Sequence, residues 1–259
     1  MRRTLLLDGD IFIYRITAAS EIPIEWDNDL WTLHSDFNQC KEALDTQIAD
    51  YKKNLNADDI VIALSPPTNF RYRIYPQYKS NRKGKRKPIT YMPLKHYVTE
   101  NYNTYQRPDI EGDDILGILA TSSIIIKGEK IIVSLDKDMK TIPCQYCDMR
   151  DPITVQTITE AQADYWHMYQ TLVGDTTDGY PGCPGIGAVT AEKILTATDG
   201  TYPEMWKAVI KTYEKKGLSE ETALIQAQIA RICRRDDYDF KKKEVIPWTP
   251  PTTTTKTAS

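Results

Sequence analysis

Short apolar runs that end in an acid alternate along this chain with longer stretches of helical spacing. TLLLD (Thr4–Asp8) reads as a buried strand with a polar end, and IFIYRITAAS reads as a helix packed over it. From Ser35 to Lys53 the apolar positions Phe37, Leu44, Ile48 and Tyr51 recur at helical spacing. DIVIAL (Asp59–Leu64) predicts the next strand, which SPP stops. YMPLKHYVTENY and EGDDILGILATSSI predict helices, and the acids of the second crowd its first turn. KIIVSLDKD predicts another apolar strand ending in acids, and EAQADYWHMYQTLVG an amphipathic helix. Pro203–Glu214 and Ser219–Arg234 predict further helices.

Strands that alternate with helices predict an α/β fold built on a parallel sheet. After about residue 158 helices are expected to predominate. The expected division is a core over 1–157, a helical lobe over 158–248 and a disordered tail over 249–259, whose TPPTTTTKTAS is low in complexity.

Composition changes this picture little: 41% hydrophobic and 27% charged residues are ordinary for a globular chain. No apolar run approaches the roughly 18 residues of a membrane span. MRRTLLL mimics the start of a signal peptide, but Asp8 and Asp10 interrupt the apolar stretch, so a cytoplasmic protein without membrane partners is expected. Five cysteines and three histidines, with a single CxxC at Cys144 and Cys147, predict two thiols at a strand edge rather than a disulfide framework or a zinc site.

Charge distribution changes it more. Net charge is only −3, yet Arg71–Lys87 (RYRIYPQYKSNRKGKRK) holds eight basic residues and no acid, interleaved with tyrosines. Such a run is ordinarily a solvated loop. On a slightly acidic chain it is also a local footprint for phosphates.

The acids fall where a parallel sheet places its ligands, beyond the C-terminal strand ends. Asp8 ends the first strand, and Asp136 and Asp138 follow IIVSL. Glu111 and Asp114 share a helical face with Asp113 beside them, and Asp175 and Asp178 are three residues apart. Any one pair could merely cap a helix or start a turn. Together they would repel unless neutralised, and the counter-charge suited to carboxylate oxygens is Mg²⁺ or Mn²⁺. Two such ions about 4 Å apart can activate a water and stabilise a leaving oxygen, which joins acids and basic stretch in hydrolysis of nucleic acid.

GCPGIGAVTAEKIL supplies a further part. Gly185 and Gly187 can present backbone N–H groups at a helix N-terminus. The stretch resembles the helix-hairpin-helix that grips a DNA backbone without reading sequence.

Taken in order, LLLDGD, FRYRIYPQYKSNR, EGDDILGILA, VSLDKDMKTIP and GDTTDGYPGCPGIG resemble the flap-endonuclease-like 5′-nuclease superfamily. DYWHMYQTLVGDTTDGY is most similar to the 5′→3′ exonucleases of short-tailed bacteriophages. The resemblance implies a PIN-like core with a helical arch over about 71–100 and a helix-hairpin-helix. It implies a metal-dependent 5′→3′ exonuclease or structure-specific 5′-nuclease that leaves 5′-phosphates by a two-metal mechanism. The substrate it implies is double-stranded DNA with a 5′ end or flap, and RNA in RNA–DNA hybrids. The setting it implies is phage DNA replication, primer removal or host DNA degradation in the host cytoplasm, with replication proteins as partners.

Position by position, the resemblance assigns Asp8, Glu111, Asp113, Asp114, Asp136, Asp138, Asp175 and Asp178 to metal binding, with Asp136 and Asp175 catalytic. It assigns Lys79 and Arg82 to the scissile phosphate. Arg71, Lys83, Lys85, Arg86 and Lys87 are expected on DNA, as are Gly182, Gly185 and Gly187 of the hairpin, where related enzymes also hold K⁺. One departure stands out: many members carry an Asp after the strand here ending VIAL, and this chain has Ser65, Pro66 and Pro67. The arch region is also short. Two competing readings are a haloacid-dehalogenase-like phosphatase, with Asp8 as nucleophile and Asp10 as general acid, and a non-catalytic DNA-binding protein with a degenerate nuclease core.

Overall fold

Leu5, Leu6 and Leu7 cannot share one side of a strand, because successive side chains alternate across it. A strand made of them needs cover on both faces, and the fold supplies it. The computed structural model describes residues 2–251; residues 252–259, most of the expected tail, lie outside the described residues. β1 (Arg3–Asp8) leads through α1 (Gly9–Ala19) into an antiparallel hairpin of β2 (Ile22–Trp26) and β3 (Leu30–His34). α2 (Phe37–Asn54) returns the chain to β4 (Asp59–Ala63). A one-turn α3 (Arg71–Ile74) and a loop precede α4 (Tyr91–Asn101), β5 (Thr104–Tyr105), α5 (Gly112–Thr121) and β6 (Glu129–Ser134). β7 (Cys144–Asp148) and β8 (Gln156–Ile158) complete the sheet. α6 (Glu160–Val173), α7 (Ala188–Thr196), α8 (Tyr202–Lys215), α9 (Glu220–Ala230) and a small hairpin, β9 (Tyr238–Asp239) with β10 (Glu244–Val245), follow.

The six strands lie in the order β5-β4-β1-β6-β7-β8, all parallel except the β7–β8 pair. Leu5 and Leu7 pack with α1, α2 and α4 on one face, and Leu6 and Ile132 pack with α5 on the other. All three leucines are essentially inaccessible, and each contributes roughly 1.5–3 kcal/mol by burial. β1 has β4 on one side and β6 on the other, so the order of the chain reverses at β1 and a crevice opens beyond its C-terminal end. Asp8, the turn after β6 and the first turn of α5 all meet there.

Helices α6 to α9 enclose a separate apolar cluster around Met168, Leu172, Val209 and Tyr213. The expected boundary at residue 158 is not clean, because Ile232, Cys233 and Tyr238 return to the α5 face of the sheet. The last helix stops at Ala230 rather than Arg234 for a tertiary reason: Arg71 captures the carbonyls of Ile229 at 2.9 Å and Arg231 at 2.6 Å. Cys144 and Cys147 lie on β7, an interior strand rather than an edge, and join opposite cores. Burial pushes their thiols up to about 12 and about 11, so neither is a ready thiolate ligand.

Candidate active site

Asp8 caps the helix that follows it. Its Oδ1 accepts the Ile11 N–H at 3.2 Å, and its Oδ2 accepts the Ser134 hydroxyl at 2.6 Å. The same Ser134 oxygen accepts the Asp136 N–H at 3.0 Å, so one hydroxyl ties the end of β1 to the turn after β6. In that turn Asp136 Oδ1 accepts the Asp138 N–H at 2.8 Å. Asp113 enters from the first turn of α5. Glu111, Asp113, Asp138 and Asp178 line one small hollow with Tyr78.

The acids divide into two sets by what neutralises them. Burial raises the Asp8 carboxyl to about 7, with Asp10 and Asp136 adding to it against the hydrogen bonds from Ser134 and Ile11. Burial likewise raises Asp138 to about 7, with Asp136 and Asp175 adding. Asp113 stands well above the carboxylate range through burial and then Asp8 and Asp136, and Asp136 is raised through burial. Asp136 raises each of the other three and Asp8 also raises Asp113, which places the four around one site.

The other four carry cations. Asp114 takes a bidentate Arg71 at 2.7 and 2.8 Å, plus the N–H groups of Glu111 and Cys233 at 3.0 Å each. Glu111 takes Lys79 at 2.6 Å, Tyr78 at 2.8 Å and Arg71 at 3.4 Å. Asp178 takes Arg82 at 2.6 Å and Asp175 takes Lys137 at 2.7 Å. For Glu111 and Asp114 burial works upward, but Lys79 with Arg71, and Arg71 with the Cys233 and Glu111 N–H groups, outweigh it and hold both below their ordinary values.

Several expectations are corrected. Asp114 is fully buried with its oxygens occupied, so it has no lone pair directed at an ion. Arg71 is 3% exposed and spends its guanidinium on Asp114, Glu111 and two carbonyls, so it does not reach DNA. Arg86 is exposed but forms a bidentate pair with Glu21 at 2.7 Å, which ties the basic loop to the foot of the β2–β3 hairpin. Gly182 is buried, and a Cβ there would stand 2.4 Å from the Gly174 nitrogen; it permits close backbone approach and presents nothing to a duplex. Among the described residues no three acids are gathered tightly enough to hold an ion as they stand. The cluster of eight is in fact four open acids beside four that lysines and arginines have claimed.

The remaining predicted residues are placed as follows. Lys79 takes a left-handed φ of 52°, unusual for a side chain that long, and its N–H bonds the Asp178 carbonyl at 2.7 Å. Asn81 holds the carbonyls of Thr176 and Thr177, so the 78–82 segment is docked on the 175–178 loop. Lys83, Lys85 and Lys87 are exposed. Gly185 has φ 72°, where a side chain would be strained, and exposed Gly187 leads into α7 without a side-chain cap.

Residues that spacing did not mark complete the walls. The Tyr78 hydroxyl lies 2.8 Å from Glu111 and 3.0 Å from Asp178 and shares its one proton between them, Gln170 donates to Asp138, and Ser134 to Asp8. Ser65 spends its N–H on Asp10 at 2.7 Å and accepts the Gly112 N–H at 2.8 Å, so the hydroxyl after β4 fixes the turn between Glu111 and Asp113. Asp10 also meets Tyr91 and Lys95, which leaves it anchored to α4 rather than poised as a general acid.

The open acids suit a hard divalent cation: oxygen donors, buried or half-buried, raised by neighbouring carboxylates and, among the described residues, without a lysine or arginine in contact. A pH dependence follows. In metal-free protein these acids keep protons that the unfolded chain releases near pH 4, so their contribution to stability falls as pH rises from about 4 to about 7; buried His167, held well below the imidazole range by burial, acts oppositely below about pH 6.5 but is one group against four. Glu111, Asp114 and Asp175, whose values are lowered, act oppositely and only in the acid limit below that window. Differential scanning fluorimetry in EDTA is expected to give a higher Tm at about pH 5.5 than at about pH 8, and Mg²⁺ to raise the value at the higher pH. A Tm that climbs between those pH values without metal contradicts the repulsion.

The profile of the 5′-3′ exonuclease N-terminal resolvase-like domain matches residues 3–167. The chain is 32% identical to the exodeoxyribonuclease of Enterobacteria phage T3, over 95% of this chain and 92% of that one. It is equally 32% identical to the exonuclease of Escherichia phage T7, over 95% and 93%. In fold it is similar to the bacteriophage T5 D15 flap endonuclease solved with DNA and metal ions, at a TM-score of 0.68 and 14% identity over 88% of this chain and 89% of that one. No helix among the described residues is long and apolar enough to cross a membrane. A parallel sheet carrying acids at its switch point, matched over nearly its whole length by phage exonucleases, places this chain in the 5′-3′ exonuclease family of flap-endonuclease-like 5′-nucleases.

Proposed function

We propose that the chain hydrolyses phosphodiesters at the 5′ ends and flaps of double-stranded DNA, and of RNA paired to DNA, leaving 5′-phosphates. The observation that carries this reading is the set of four acids with no ion-pair partner, buried Asp8 and half-buried Asp113, Asp136 and Asp138, beside a docked basic segment. These are the side chains that would hold Mg²⁺ or Mn²⁺, with Asp175 and Asp178 at the margin. Two such ions supply a water nucleophile near neutral pH and stabilise the leaving oxygen.

The rest of the work falls to residues of the chain. Lys79 and Arg82 are held on Glu111 and Asp178, so their charges already stand at the rim of the hollow where a scissile phosphate enters. Tyr78 keeps Glu111 and Asp178 from separating when those cations shift to the phosphate. Burial of Asp8 behind Ser134 keeps bulk water from dispersing the charge of the pocket. Residues 158–248 supply the DNA-holding lobe, with the N–H groups at Gly185 and Gly187 on a backbone phosphate beyond the cleavage point. Exposed Lys83, Lys85 and Lys87 track the strand electrostatically. Removal of primers or degradation of DNA during phage replication suits such a substrate range.

The experiment is a product ladder from 5′-labelled nicked duplex, 5′-flap and RNA–DNA hybrid, with Mg²⁺ and with EDTA. The proposal expects Mg²⁺-dependent release from the 5′ end of all three with 5′-phosphate on the products. Release of inorganic phosphate without chain cleavage overturns it.

A further inference from the structure

Gln170 sits on α6, the first helix beyond the sheet, yet its amide reaches into the acid pocket. Its Nε2 donates to Asp138 Oδ1 at 2.5 Å. The residue is 4% exposed, and among the described residues its Oε1 is buried without a hydrogen-bond partner. A buried unpaired carbonyl costs about 1–3 kcal/mol. A glutamine is therefore a poor choice for packing alone at this position, where leucine or methionine would fill the space at no such cost.

We infer that Gln170 is a positioning residue for Asp138. This rests on the reading of the acid pocket proposed above and names one further residue in it. By holding Oδ1 the amide leaves Oδ2 as the Asp138 oxygen for a divalent cation. Because α6 runs directly into the 175–178 loop and the glycine hairpin, the contact also fixes the DNA-holding helices in register with the acid turn after β6. Partners of this kind orient ligands, and their removal typically lowers metal affinity or activity by about 10–100-fold.

The test uses full-length Gln170→Leu and Gln170→Met. Mn²⁺ affinity is measured by EPR on DNA-free protein, and duplex affinity and Tm are measured in EDTA. The expected result is Mn²⁺ binding weakened roughly 10–100-fold and a matching rise in the Mg²⁺ needed for half-maximal cleavage. Duplex affinity should stay within about two-fold and Tm should hold or rise. Wild-type Mn²⁺ affinity in both variants overturns the inference, as does failure of both to fold, which makes the amide a packing group. Asp136→Asn is run in parallel: if it too leaves Mn²⁺ binding intact, the pocket itself is misassigned and both readings fall.

Discussion

Asp136→Asn is expected to slow single-turnover cleavage of a 5′-labelled duplex by about 10³-fold or more, roughly 4 kcal/mol of transition-state stabilisation. Binding of the same duplex in EDTA should hold or tighten. The substitution isolates charge from shape. Asp136 Oδ1 accepts the Asp138 N–H, and an asparagine oxygen can do the same, so the turn after β6 keeps its form. What is lost is the charge that raises Asp8, Asp113 and Asp138, and with it part of the attraction for a cation. Less repulsion should also stabilise metal-free protein at about pH 8, so activity and stability are expected to move in opposite directions. Turnover near that of the parent enzyme would remove Asp136 from the metal site.

Arg71→Ala is expected to act on stability instead, lowering the unfolding free energy by about 3–5 kcal/mol in urea titrations. Arg71 and Asp114 form a buried bidentate pair, and removing the guanidinium leaves a carboxylate in the interior with only two backbone N–H groups. It also frees the carbonyls of Ile229 and Arg231, which hold the end of α9 against α3. Arg71→Met with Asp114→Leu should recover most of the loss, because the pair can be replaced by apolar groups of similar volume. An unchanged unfolding energy with weaker, less salt-dependent DNA binding would return Arg71 to the phosphate-contacting role its sequence context suggests.

Arg71 shows where reading the sequence stops. It begins a run of eight cations, and by composition nothing separates it from exposed Lys85. Its partner lies 43 positions away, and only the packing of α3 against α5 and α9 shows that the first cation of the run is structural. β1, β4 and β6 were legible because parallel strands covered on both faces need unbroken apolar runs, and their acids stand out at the ends. The β2–β3 hairpin was not, because both of its faces are exposed and no burial pattern forms; Trp26, Leu30 and Trp31 are each more than half exposed. The available signal was the alternation of Ile22, Ile24 and Trp26 before a WDND turn, where Asn28 and Asp29 take positive φ.

The candidate site follows the same division. Spacing picked out the acids because they recur at element ends. Which of them remain open depended on Lys79, Arg82 and Lys137 folding back onto Glu111, Asp178 and Asp175, and each of those pairs is long-range or crosses a turn. Ser65 looked like a loss against the family pattern. Its hydroxyl instead fixes Gly112, which stands between two of the acids, so the position after β4 still serves the pocket through a hydrogen bond.

The most direct measurement is a Mn²⁺ titration of metal-free, DNA-free protein at about pH 8, with bound ions counted by EPR. About two ions per chain are predicted, with at least one lost in Asp136→Asn. No binding, or a count that the substitution leaves unchanged, contradicts the account.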